Sequence, residues 1–138
     1  MTLLGTEEAL TRIIFADSWH DAEGSVPVLE QAAGELEEYF AGKRREFTVP
    51  LAPRGTEFQR KVWAALREIP YGTTVSYKDI AVRIGNPNAA IAVGQANRWN
   101  PIPIIIPCHR VIGTNGKLVG YTGGMHIKEA LLAVEGIR

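Results

Sequence analysis

The sequence predicts an α/β (α+β) chain in two parts, a small N-terminal α/β cap over residues 1–50 and a mostly helical C-terminal domain over 54–138 built on a winged helix-turn-helix. Three observations predict it. An apolar run and a helical spacing are followed by the proline-interrupted segment Phe47-Thr-Val-Pro-Leu-Ala-Pro-Arg54. Two capping signatures then open successive helices, and a tight Gly-Asn-Pro turn separates the second from a further helix. Five glycines between Gly113 and Gly124 read as turn or short β-wing ahead of a last helix.

Taken in order, Leu10, Arg12 and Ile14 with Ile13 and Phe15 suit a strand, and Thr6-Glu7-Glu8 offers a turn before it. From Pro27 the spacing of Val28, Ala32, Leu36 and Tyr39/Phe40 is helical, with Gly42 as its stop. Pro50 and Pro53 keep the next segment extended, and the domain boundary is placed there. Thr56-x-x-Gln59 is a capping box for a helix that turns Phe58, Val62, Trp63 and Leu66 inward and ends at Pro70-Tyr71-Gly72. Ser76-x-x-Asp79 starts a short helix with Ile80 and Ile84 inside and Gly85 at its end. Asn86 is expected to cap a third helix, with Pro87 at its first position, running through Ala89, Ala90, Val93 and Ala96 to about Arg98. Ile102, Ile104, Ile105 and Ile106, held between Pro101, Pro103 and Pro107, read as a buried extended run that delivers Cys108. The last helix spans His126 to Val134, with Ile127, Leu131 and Leu132 toward the core.

The length of 138 residues allows an ordinary core, and a single cysteine excludes a disulfide framework. No apolar run approaches the ~20 residues that cross a bilayer, and no secretory pattern opens the chain. The expectation is a cytoplasmic or nucleoid-associated protein with a reduced thiol. The net charge of zero hides a division: ten acids against four bases over 1–50, and five acids against eleven bases over 51–138. Between Asp79 and Glu129 there is no acid, so Arg83, Arg98, Arg110, Lys117 and Lys128 are the expected source of phosphate contacts.

Pro107-Cys108-His109-Arg110 is the strongest chemical signal. Taken alone, a buried cysteine is usually inert packing. A thiol of ordinary pKa, about 8.5, becomes a nucleophile when a neighbouring base or positive charge favours the thiolate. His109 can accept that proton, directly or through water, and a carboxylate beyond it would fix the ring's tautomer. Glu135 is the candidate carboxylate, with a solvent-facing glutamate as the competing reading.

Gly55-Thr-x-Phe58-Gln59-x-x-Val62-Trp63, Ile69-Pro-Tyr-Gly-x-Thr74-x-Ser76-Tyr77, Gly85-Asn-Pro, Ala92-Val-Gly94, Asn100-Pro-Ile-Pro-Ile-x-Ile-Pro107-Cys-His-Arg-Val111 and Gly120-Tyr121-x-Gly-Gly124 follow one pattern in order and spacing. From about Arg54 to Glu135 the chain resembles the O6-alkylguanine-DNA alkyltransferases. The resemblance implies an irreversible, single-turnover transfer of an alkyl group from O6-alkylguanine in DNA, with O4-alkylthymine as a further candidate, to Cys108. It implies a relay of His109, a water and Glu135, with Tyr77 as the acid that lets the purine leave neutral. It also implies that backbone at Cys108 and Val111 reads the guanine edge, that Thr122 lies near O6, that Tyr121 lines the alkyl pocket, that Asn100 braces the turn and that Lys128 supports the site.

An alkyl carbon inside a duplex is out of reach, so the nucleotide must be flipped. The resemblance implies that the helix-turn-helix enters the minor groove of alkylated double-stranded DNA, with Ala90, Ile91, Gly94, Gln95, Arg98 and Arg110 as DNA-binding residues. The family has an arginine at position 91, where this chain has Ile91. On the helical wheel Ile91 shares a face with Gly94, Gln95 and Arg98, not with Ala90, Val93 and Asn97. An apolar wedge can hold a base step open but cannot hydrogen-bond an orphaned base, so weakened duplex binding or flipping is expected. The N-terminal part is expected to be a shortened structural cap lacking strands ahead of Leu10. No set of Cys and His at metal spacing occurs, so no metal and no cofactor are expected, and the chain is read as a monomer. The alternatives are a module that senses alkylated bases without repairing them, and a transcriptional helix-turn-helix reading the major groove. The alanine-rich third helix argues against the latter.

Overall fold

Proline and glycine punctuation sets where the elements of this chain begin and end. The computed structural model describes residues 1–15, 26–113 and 124–137, and the chain divides into two units, Met1–Arg54 and Gly55–Arg138. No helix among the described residues is long and apolar enough to cross a membrane. The class is α+β, as the sequence predicts.

In the first unit, β1 (Thr2–Gly5) pairs antiparallel with β2 (Leu10–Ile14). A strand therefore does precede Leu10, contrary to expectation, because the Thr6 hydroxyl accepts from Glu8 N and Ala9 N and turns the chain back on itself. Helix α1 (Pro27–Phe40) starts with proline at its first turn, where a missing N–H costs nothing, and buries Val28, Ala32, Leu36 and Tyr39. Phe40 lies on the other side of the stripe and is 44% exposed. Glu35 is the polar member of the buried face. Its carboxylate accepts from Thr48 N at 2.9 Å, Val49 N at 3.1 Å and Thr48 Oγ1 at 2.6 Å, which ties α1 to the segment before Pro50.

In the second unit, α2 (Glu57–Leu66) opens with the Thr56–Gln59 capping box, worth about 1 kcal/mol. It buries Val62, Trp63, Ala65 and Leu66, and Trp63 Nε1 donates to the Ala96 carbonyl at 2.8 Å. The two-residue strand β3 (Val75–Ser76) leads into α3 (Tyr77–Arg83), which carries the second capping box, Ser76–Asp79. Gly85 ends this helix at φ +84, a conformation that glycine adopts without strain.

Helix α4 runs Ala90–Arg98. Asn86 is not its cap. The Asn86 carbonyl instead accepts from Ala89 N at 3.0 Å, so Pro87 lies inside a four-residue turn and the helix begins after it. Residues 102–106 are buried as expected but not extended. Ile106 N returns to the Ile102 carbonyl at 3.0 Å, and Ile104 takes φ 75, so the run is a turn. A single 3-10 turn, Cys108–Arg110, follows and runs into β4 (Val111–Ile112), which pairs parallel with β3. Helix α5 (Met125–Val134) buries Leu131, Leu132 and, on the same stripe, Lys128. The expected β-wing lies largely outside the described residues.

Candidate active site

The site starts from a turn that the sequence braces locally. Asn100 Nδ2 donates to the Ile106 carbonyl at 2.8 Å, and Asn100 Oδ1 accepts from Ile102 N at 3.0 Å. One side chain thus satisfies both ends of the proline-rich loop and fixes the entry to Cys108. Cys108 itself is buried, 1% exposed, and its carbonyl accepts from Asn97 Nδ2 at 3.4 Å.

His109 is fully buried, with Nε2 2.6 Å from Oε2 of Glu135. Glu135 follows the last turn of α5 and is not solvent-facing, its side chain being 0% exposed. Its oxygens also accept from Gly72 N at 3.1 Å, Arg110 Nε at 2.8 Å and Arg110 Nη2 at 3.0 Å. A group accepting at both oxygens from three other donors, two of them on a guanidinium, is an ionised carboxylate, so the hydrogen between it and the imidazole belongs to Nε2. The other ring nitrogen, Nδ1, is buried with no hydrogen-bond partner among the described residues and carries the free lone pair. Burial pushes His109 below the usual histidine range, against the hydrogen bond and charge of Glu135, so the ring is neutral near neutral pH.

Two further groups sense the sulfur. Burial first, and then the negative charge of Cys108, push the Tyr77 phenol above its ordinary value, while a hydrogen bond from Asn97 and the charge of Arg98 oppose. Tyr77 therefore remains a proton donor. Lys128 is fully buried, donates to the Val111 carbonyl at 2.6 Å and is pushed down to about 8 by burial, with Cys108 drawing it back up. Around Cys108 the site thus offers one buried cation, Lys128, and one neutral base, His109.

The structure brings together Cys108, His109, Glu135, Tyr77, Asn100, Val111 and Lys128 of the residues that the sequence singled out. Tyr121 and Thr122 lie outside the described residues. Arg110 corrects an expectation: it is 6% exposed, ion-paired with Glu135, and donates from Nη1 to the Ile69 carbonyl at 2.7 Å, so it is not a DNA-facing base. Sequence reasoning also missed Asn97, which serves both Cys108 and Tyr77, and Gly72, whose N–H holds Glu135. Asn97 was visible as a polar residue on the buried stripe of α4 with Val93. Gly72 carried no such signal. On the outer side of α4, Ile91 is 82% exposed, Gln95 and Arg98 are exposed, and Ala90 and Gly94 are half-buried. A Cβ on Gly94 would meet the Tyr77 ring at 3.9 Å.

Residues 57–137 match the family described as 6-O-methylguanine DNA methyltransferase, DNA binding domain, and residues 1–53 match its ribonuclease-like domain. A methylated-DNA--protein-cysteine methyltransferase of Methanosarcina acetivorans is 53% identical, covering 97% of this chain and 90% of its own. The chain belongs to the 6-O-methylguanine DNA methyltransferase family. Another relative in that family, the constitutive methylated-DNA--protein-cysteine methyltransferase of Bacillus subtilis, is 48% identical over 95% of this chain and 86% of its own. Among solved structures, Mycobacterium tuberculosis OGT in complex with DNA is 50% identical and covers 96% of this chain and 84% of its own, with a TM-score of 0.86. The likeness to the methyltransferases of this family therefore runs over 95–97% of the chain and not over one motif.

Proposed function

We propose that this protein repairs DNA by irreversible transfer of an alkyl group from O6-alkylguanine to Cys108. His109 takes the thiol proton at Nδ1, directly or through a water, and Glu135 stabilises the imidazolium that forms. The sulfur attacks the alkyl carbon, an S–C bond forms and the C–O6 bond breaks, leaving its electron pair on the purine. Tyr77 supplies a proton to the departing guanine and is left a phenolate, which regains a proton as the His109 imidazolium gives up its own, by way of solvent, so the net proton passes from thiol to purine. The thioether has no route back, and each molecule acts once.

The observation that carries this reading is the buried His109–Glu135 pair at 2.6 Å directly following the cysteine, with Nδ1 left as the free base. The DNA complex of the M. tuberculosis relative supports DNA as the partner. Entry through the minor groove on α4, flipping of the nucleotide and action as a monomer belong to the same proposal, with 54–138 as the alkyl-transfer domain and 1–50 as its cap. O4-alkylthymine is a second substrate to try. The sensing-only alternative is not favoured, because the chain carries Cys108 and its relatives at 48–53% identity are methylated-DNA--protein-cysteine methyltransferases.

Incubation with O6-methylguanine duplex DNA, followed by mass spectrometry, tests the reading. One added methyl on the Cys108 peptide, absent in Cys108→Ala, is expected. Repaired DNA beside an unmodified sulfur would overturn it.

A further inference from the structure

Arg110 meets Glu135 as a fork on a carboxylate, Nε on Oε1 at 2.8 Å and Nη2 on Oε2 at 3.0 Å. Its Nη1 is committed to the Ile69 carbonyl, and its guanidinium carbon lies 5.7 Å from the Tyr71 ring centroid. The two side chains are 7% and 0% exposed, so the pair is out of water. Three hydrogen bonds are thus committed to one side chain that is 7% exposed.

Its effect falls on the imidazole. A buried carboxylate beside a histidine, with no other cation near, draws a proton onto the ring, and an imidazolium cannot serve as a base. A guanidinium on the same carboxylate offsets that pull. The fork also sets the carboxylate plane: Oε1 is taken by Gly72 N and Arg110 Nε, and Oε2 by Arg110 Nη2, which leaves one lone pair of Oε2 for His109 Nε2.

Resting on the alkyl-transfer reading, we propose that Arg110 is a positioning residue for that reaction: its fork locks Glu135 and balances its charge, so that His109 stays neutral, protonated at Nε2, with Nδ1 open to receive the Cys108 proton. Burial is the largest push downward on the imidazole, the hydrogen bond and charge of Glu135 beyond α5 push it up, and Arg110 on the ring's own turn and Lys128 on α5 add to the downward push.

The test is the pH dependence of single-turnover methyl transfer from O6-methylguanine DNA for the parent, Arg110→Gln and Arg110→Lys, with folding followed by near-UV circular dichroism. In Arg110→Gln the acid limb moves up by about one pH unit. In Arg110→Lys the charge remains and the fork is lost, so the rate falls and the limb keeps its parental position. A limb that stays in place in folded Arg110→Gln overturns the proposal, since a merely structural residue changes the active fraction and not the titration. Should Arg110→Gln fail to fold, nitrogen NMR of histidine-labelled parent decides: a neutral ring bearing its hydrogen on Nε2 is expected, and an imidazolium or an Nδ1–H tautomer near neutral pH overturns the proposal. A parent that transfers no methyl at all would sink the repair reading instead, and the NMR result would still decide on Arg110.

Discussion

His109 and Glu135, separated by 26 positions, share one hydrogen bond of 2.6 Å between side chains that are 0% exposed. Replacing Glu135 with glutamine keeps the shape and removes the charge. The amide can then present N–H to Nε2 and favour the wrong tautomer, while Arg110 is left buried without a counter-charge. We expect Glu135→Gln to lower the methyl-transfer rate by about 100-fold or more and to cost about 3–5 kcal/mol of stability. Single-turnover kinetics below the variant's melting temperature, beside a denaturant titration, separates the two. A parental rate in the folded variant would remove Glu135 from the relay.

Lys128 makes stability depend on pH in a defined window. Its folded value of about 8 lies below its ordinary 10.5, so between these limits the folded chain binds fewer protons than the unfolded chain. Stability from this group therefore rises with pH through the window and is flat below it, where both states carry the proton. The difference in denaturant midpoint between the parent and Lys128→Met should shift in the parent's favour as the pH rises from about 8 toward 10.5. A constant difference would mean that the ammonium is not desolvated.

Ile91 is the largest apolar exposure on α4, at 82%. Ile91→Arg supplies a charge and hydrogen-bond donors on the face shared with Gln95 and Arg98. We expect it to speed transfer from duplex O6-methylguanine and leave transfer from the free base unchanged. Equal duplex rates would show that the position takes no part in DNA handling.

Glu35 performs a structural task in the first unit. Burial raises its pKa, but the Thr48 and Gln31 side chains and the Val49 and Thr48 N–H groups outweigh this, and the net shift is downward. The sign follows: its contribution is present above the ordinary value of 4.5 and is lost as pH falls through the lowered folded value. Glu35→Ala leaves the Val49 and Thr48 donors without an acceptor and should cost about 2 kcal/mol or more, with faster proteolysis near residue 48. An unchanged melting temperature would contradict this.

What was legible in the sequence was local or motif-borne. Both capping boxes were readable because partners three residues apart on one helix need no tertiary information. The His109–Glu135 pair could be named because the matched pattern runs from Cys108-His109 to Glu135. Arg110 was misread because its partner lies 25 positions away, and a basic residue in an acid-free stretch looks the same in sequence whether it faces phosphate or a buried carboxylate. The proline-rich run was correctly read as buried but not as a turn, since the left-handed Ile104 is imposed by the Asn100 brace and not by any preference of isoleucine. Lys128 was named for the site, but its burial, which removes it from the expected phosphate contacts, was missed and could have been found: it lies three and four residues before Leu131 and Leu132, on the stripe that packs inward.

The pairing of β3 with β4, Val75 opposite Val111 and Ser76 opposite Ile112, joins the residues just before Tyr77 to those just after Arg110. On the alkyl-transfer reading proposed above, the proton donor Tyr77 and the nucleophile Cys108 are registered to each other through main chain rather than through side chains alone. Side chains around the sulfur can then be exchanged while that main-chain spacing is kept.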